Sequence, residues 1–251
     1  PAGSTAWMDR IFGGGYGRGL NAPCDTYEST VNWSSEDATV GWYQDGIYGG
    51  NNNSRRTLYA IVNINSPVYS VHPQGNVTEQ FATVYGAGFG LDTWCEYTEI
   101  NLNNGADKLY EVYGGGKLGR VLNVASVDAW QTELGAVNLP LELDGYTNPG
   151  LTGANTLAKV NKLGVTTNTN VNINSGAKVS GYMYNGSLSG GYAYAGGLGD
   201  QNDIKCGSIS GTTYIGLHGG VVAKDIYAGG TSGSVLDYYK VGTESNPIAQ
   251  T

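Results

Sequence analysis

Charge is scarce in this chain. Only 14% of its 251 residues are charged, and the balance is acidic, with a net charge of −8. Such a chain repels nucleic acid backbones and anionic lipid, so neither is an expected partner. No run of Lys and Arg overrides that, the densest basic spot being Arg55-Arg56 in a polar turn. Histidine is confined to His72 and His218, which excludes a multi-histidine metal centre. Three cysteines are too few for a disulfide scaffold and cannot all pair internally. A Cys24–Cys95 bridge and three unpaired, mostly buried thiols are both open. Prolines number seven, and no apolar run approaches membrane-spanning length, so membrane insertion is not expected. The chain opens at Pro1 with no Met and no signal-like segment, the expectation for a mature or excised portion.

What is abundant is glycine, at 41 residues, and tyrosine, at 19. So many aromatics argue for a folded, turn-rich all-β protein rather than a disordered one. The glycines cluster in one recurring phrase: a β-branched residue, an aromatic, then the glycines. It reads Ile11-Phe12-Gly13-Gly14-Gly15, Ile47-Tyr48-Gly49-Gly50, Val84-Tyr85-Gly86-Ala87-Gly88, Val112-Tyr113-Gly114-Gly115-Gly116 and Ile226-Tyr227-Ala228-Gly229-Gly230, with a looser copy at Ala193-Tyr194-Ala195-Gly196-Gly197. The starts lie 36, 37, 28, 81 and 33 residues apart. The long interval has room for degraded copies such as "GYMYNG" at Gly181 to Gly186. Between the phrases, "YAIVNIN", "YTEINLNNGAD" and "TNTNVNINSGAKV" alternate apolar with polar residues, as half-buried strands do.

Repetition of this kind predicts a parallel β-helix, a β-solenoid of about six to eight coils stacked ~4.8 Å apart. In such a stack each residue lies over its counterpart. The Ile or Val of each phrase points into the core, and Phe12, Tyr48, Tyr85, Tyr113 and Tyr227 form a ladder on the outward side. Gly13, Gly49, Gly86, Gly114 and Gly229 make the corners, where they supply positive φ and let coils approach closely. Asn21, Asn123 and Asp237 are expected to form a polar ladder. An antiparallel sandwich offers no reason to repeat one phrase, and a propeller blade needs more residues. One stretch, Val124 to Val165, lacks the glycine clusters. "SVDAWQTELGA" within it reads as a short helix with Ser126 as N-cap, so a flap or a binding loop is inserted there.

Motifs that carry chemistry fit poorly. Gly114 to Gly119 satisfies G-x-G-x-x-G, but the dinucleotide fingerprint needs a helix next and a β segment follows. "GGLGDQND", Gly196 to Asp203, resembles a calcium nonapeptide with its acid, Asp200, one place early. Carboxylates are scattered, and a pair such as Asp107 and Asp144 is brought together only by the fold. No catalytic, metal-binding or cofactor-binding residue is assigned, and no cofactor is expected.

The phrases "TLYAIVNINSPVY", "ATVYGAGFGLDTW", "YEVYGGGKLGRVLN" and "GTTYIGLHGGVVAKDIYAGGTSGSV" resemble the glycine-rich YGGG-repeat proteins, very large surface or secreted polypeptides of gut Bacteroidota. The resemblance spans roughly Ile47 to Asp237. It implies a β-solenoid-like, adhesin-like protein that is extracellular or on the cell surface. It brings no catalytic motif. The expectation is a non-enzymatic structural or adhesive module, assembling with itself or with neighbouring modules of its type. The alternatives are a glycan-binding solenoid, and a polysaccharide lyase or hydrolase.

Overall fold

The computed structural model describes residues 7–17, 24, 26–35, 38–40, 45–53, 56–70, 80–91, 93–122, 168–184, 186–200, 207–210, 212–232 and 235–236. These residues form a parallel β-solenoid, with strands and turns and no helix among them. The phrase strands stack in chain order: Ile11–Phe12, Gly46–Tyr48, Gln80–Tyr85, Leu109–Tyr113, Tyr192–Tyr194 and Ile226–Tyr227. Each is parallel to the next, in a register that sets Ile11 over Ile47, Val84, Val112, Ala193 and Ile226. That makes six coils among the described residues.

The alternating segments form a second face, Thr26–Trp33, Arg56–Ile64, Trp94–Leu102, Thr169–Asn174 and Thr213–His218, also parallel throughout. Its inward row runs Val31, Val62, Ile100, Val171 and Ile215, with Trp33, Ile64, Leu102, Ile173 and Leu217 two residues on. Val40, Val68, Ala106 and Val179 close the core from the third side. Burying each Val, Ile or Leu contributes roughly 1.5–3 kcal/mol. A β-branched residue suits these rows because its stiff χ1 matches the pleat and its neighbour above.

Outward on this face the amides form ladders. Asn63 donates to Asn32 at 2.8 Å, Asn101 to Asn63 at 3.0 Å and Asn172 to Asn101 at 3.0 Å. Two residues on, Asn65 donates to Ser34, Asn103 to Asn65 and Asn174 to Asn103, at 2.9–3.1 Å. The expected polar ladder of Asn21, Asn123 and Asp237 lies outside the described residues. Across the core, hydroxyls tie the two faces. Ser29 and Thr98 each donate at 2.6 Å to a corner carbonyl of the next coil, Gly49 and Gly114, and Thr169 does so to Ala195 at 2.8 Å.

Across the 81-residue interval the described phrase strands pair directly, Leu109–Tyr113 with Tyr192–Tyr194, with no coil between them. Cys95 pairs with Val121 and Thr98 with Thr169, so Glu96 and Tyr97 bridge in one coil what its neighbour spans with Leu122 and residues 123–168. The insertion therefore interrupts a single strand and re-enters it in register. The flap or helix expected at 124–165 lies outside the described residues. "GYMYNG" is likewise no degraded coil: Tyr182–Tyr184 pairs antiparallel with Ser187–Ser189 as a hairpin. No disulfide joins Cys24 to Cys95.

Of the two reasons expected for the corner glycines, close approach holds and positive φ does not. None of Gly13, Gly49, Gly86 or Gly114 has a positive φ. A Cβ on Gly49 would lie 2.2 Å from the Gly86 carbonyl oxygen, and one on Gly86 2.2 Å from that of Gly114. Backbone passes over backbone there, and only hydrogen fits. Gly229 also sits in a bend, one place beyond that row. Register sets Ala228, not Gly229, above Ala195 and Gly114. A Cβ at Gly229 meets nothing within 4 Å.

Gly86→Ala is therefore expected to cost roughly 1–3 kcal/mol, the range for forcing extra atoms into packed structure. Gly229→Ala should stay within about 0.5 kcal/mol of the parent. Urea unfolding of both, at low protein concentration, checks this; equal losses would overturn the close-approach account.

Candidate functional site

One residue beyond the core Ile or Val, the side chain turns to the opposite side of the strand. Phe12, Tyr48, Tyr85, Tyr113, Tyr194 and Tyr227 occupy that row. Successive ring centroids are 4.8, 4.7, 5.2, 4.6 and 5.2 Å apart, with interplanar angles of 5–14°. The rings stack because strand spacing and stacking distance nearly coincide, and each pair contributes about 0.5–1.5 kcal/mol beyond burial. Tyr194, carried by the looser phrase, is a full rung that the sequence reading left out of the ladder.

The ladder is not an exposed surface, contrary to expectation. Tyr48, Tyr85 and Tyr113 are buried, and Tyr194 nearly so. Phe89, Tyr192 and Leu198 pack against the rings, making a second apolar core outside the first. Phe89 sets its edge to Tyr48, with centroids 5.9 Å apart and planes at 69°. Only Tyr227, in the last coil, remains exposed at 44%.

Buried phenols need acceptors, and carboxylates near the strand starts supply them. Tyr48 donates to Asp45 at 2.9 Å, Tyr113 to Glu111 at 2.7 Å and Tyr227 to Asp225 at 3.2 Å. Asp45 also meets Lys117 Nζ at 2.9 Å and Arg10 at 3.7 Å. Arg10 lies over the Phe89 ring, 4.9 Å from its centroid, and Lys117 is 5.8 Å from it. Four coils are thereby clasped at one point. Burial first, and the neighbouring carboxylate second, raise the phenol pKa values of Tyr48 and Tyr113 well above 10.0. Burial also raises Glu111 above its usual 4.5, against the Tyr113 hydrogen bond and Lys224.

A shorter ring pair stands on the amide face. Tyr59 and Tyr97 stack at 4.5 Å, and both phenols donate to Glu99 Oε2, at 3.1 and 3.3 Å. Asn101 donates to the other oxygen of Glu99 at 2.6 Å. The insertion leaves the solenoid beside this pair, since Thr98 N donates to Asn168 O where the strand resumes. A tyrosine-carboxylate-asparagine cluster thus marks its root.

The other candidate chemistry is dispersed. Asp107 accepts from Ser180 at 2.5 Å and faces Lys178 at 3.6 Å, while Asp144 lies outside the described residues. Burial raises the Asp107 pKa, but Ser180, the Lys108 amide and Lys178 outweigh it, and the carboxyl sits below its usual 3.8. His218 ends a strand, exposed, with the Tyr214 hydroxyl 3.5 Å from its ring nitrogen; His72 lies outside the described residues. Gly196 of the calcium-like phrase serves the corner, donating to the Gly229 carbonyl at 2.9 Å, and residues 201–206 lie outside the described residues. The G-x-G-x-x-G glycines lead into the strand Arg120–Leu122, not a helix. Among the described residues no three His, Cys, Asp or Glu side chains gather to hold a metal.

Two titrations oppose each other. A carboxyl raised by folding stabilises when protonated, so the Glu111 contribution is present below pH 4.5 and is lost as pH rises through its folded value. Asp107, depressed, contributes above its usual 3.8 and loses that as pH falls. Glu111→Gln keeps an acceptor for Tyr113 and should raise the melting temperature at neutral pH while flattening the decline above pH 4.5. Melting curves over a pH series check this, and an unchanged profile would remove Glu111 as the cause. No family model, no curated protein and no solved structure matches this chain.

Proposed function

We propose that this chain is a non-enzymatic structural or adhesive β-solenoid module of an extracellular or cell-surface bacterial protein. The observation that carries the reading is the use to which the repeated side chains are put. Ring lies on ring, amide on amide, and hydroxyls on corner carbonyls, coil after coil. Side chains held in such ladders serve the stiffness of the stack, with the phenols masked and their protons committed to carboxylates. The lysine-poor acidic composition and the YGGG-like phrases support the surface location.

A glycan-binding reading has its own footing in a few exposed rings, Tyr16 at 68%, Tyr214 at 41% and Tyr227, and in the insertion rooted beside Tyr97. Sugars stack on open aromatic faces, which the buried part of the ladder does not offer.

Incubation with a panel of uronate polymers is expected to release no product, and a glycan array to give no reproducible hit. Product release abolished by Glu111→Gln or Asp45→Asn would overturn the non-enzymatic reading. Array hits lost with Tyr214→Ala or Tyr16→Ala would transfer the protein to the glycan binders.

A further inference from the structure

The two ends of the stack differ. Core-row residues are buried through the middle coils, yet at the last ones Leu217 is 51% exposed and Ile226 40%. Tyr227 bares a ring face, and the space beside Gly229 is open. In every earlier coil the corner amide donates forward: Gly13 to Tyr48, Gly49 to Tyr85, Gly86 to Tyr113, Gly114 to Tyr194 and Ala195 to Tyr227, at 2.8–2.9 Å. By the same register the Ala228 amide is aimed off the end.

Coil 1 matches that end position by position. Lys224-Asp225-Ile226-Tyr227-Ala228-Gly229 and Asp9-Arg10-Ile11-Phe12-Gly13-Gly14 occupy the same rungs. Stacked as a seventh coil, Ile11 covers Ile226, the Phe12 ring covers Tyr227, and the Ala228 amide meets the Phe12 carbonyl. The charges alternate in sense: Lys224 faces Asp9, and Asp225 faces Arg10. A methyl at Ala228 has precedent, because Ala195 already lies beneath Ala228 at the same rung.

We propose that the Lys224–Gly229 face binds the Asp9–Gly14 edge of a second copy of this chain, in parallel register, continuing the aromatic ladder between molecules. This deepens the structural-module reading and rests on it. The contact joins unlike ends, so it does not close and builds a fibre. Alternating charges fix the register, because a slip of one residue sets Asp225 beside Asp9.

Sedimentation velocity of the full chain over a concentration series tests this, with melting curves as the folding control. The parent chain is expected to grow in mass with concentration. Asp225→Arg should raise the concentration needed by about tenfold or more, the scale of like-charge juxtaposition at an interface. Gly229→Ala, silent in the monomer, should do so too, because a Cβ at the equivalent Gly196 would lie 2.5 Å from the Gly230 amide nitrogen of the next coil. Mixing the Asp225→Arg and Arg10→Asp chains should restore growth, each offering the other a complementary face.

A parent chain that stays monomeric throughout would overturn the proposal, as would growth indifferent to these variants. A monomer whose Ile226, Ala228 and Gly229 amides resist hydrogen exchange would give the face to the chain's own residues instead. An inert monomer removes the assembly alone, whereas polymer cleavage removes the structural reading beneath it.

Discussion

Adjacent strands of a sheet lie about 4.8 Å apart, and a parallel stack in register allows no other offset between like residues. That spacing is also close to the distance at which two aromatic rings stack and within which two amides bond. Each coil therefore meets its neighbour with the same chemistry at the same height, or the ladder fails there. Tyr48 on Tyr85, Asn63 on Asn101 and Val62 on Ile100 are three consequences of one constraint. At the corners the constraint becomes steric. Gly49 and Gly86 sit so near the backbone of the following coil that the stack itself selects glycine.

Register tolerates departures only between anchored points. Residues 123–168 leave and return where the neighbouring coil has Glu96 and Tyr97. One coil later only residues 211 and 212 intervene between Ile209–Ser210 and Thr213–His218. The hairpin of Tyr182–Tyr184 and Ser187–Ser189 sits likewise between two strands already pinned by their neighbours. Length can vary at such places because both flanks hold their pairing, and the loop adds only a slowly growing closure cost. New chemistry can be added to a solenoid there without disturbing its core.

Much of this was legible in the residues. The Ile-aromatic-glycine phrase identifies the stacked strands and names all but one rung of the aromatic row. The facing of that row was misread for a physical reason. Alternation says that Tyr48 points away from Ile47, not what lies across from it. The cover comes from Phe89 and Leu198, residues of other coils with no signal of their own in the phrase around Tyr48. For glycine only half of the expectation holds: freedom in φ, a property of the residue itself, is not used at these corners, whereas close approach, set by a neighbour many positions away, is. The amide ladders could have been found, since "VNW", "VNIN", "INLN" and "VNIN" repeat Asn at one alternation phase. The carboxylates were harder. Asp45 precedes its tyrosine by three residues and Glu111 by two, so no fixed spacing announces them.

The character of the stack changes along its axis. Glycine holds the corner row through Gly13, Gly49, Gly86 and Gly114, then yields to Ala195 and Ala228. Across the same coils the inward rows pass from buried Ile64 and Leu102 to exposed Leu217, and from buried Ile47 to exposed Ile226. A solenoid cannot remove its sheet edges by closing, as a barrel does; each end must be covered or must bind. Arg10 is already committed at the other end, lying over Phe89 and facing Asp45 of the next coil. It leaves a cation near that edge, opposite in sign to Asp225. An end that is charged favours a partner of matched charge over indiscriminate β-pairing, which is how a stack with two edges can extend in one direction without aggregating in all of them.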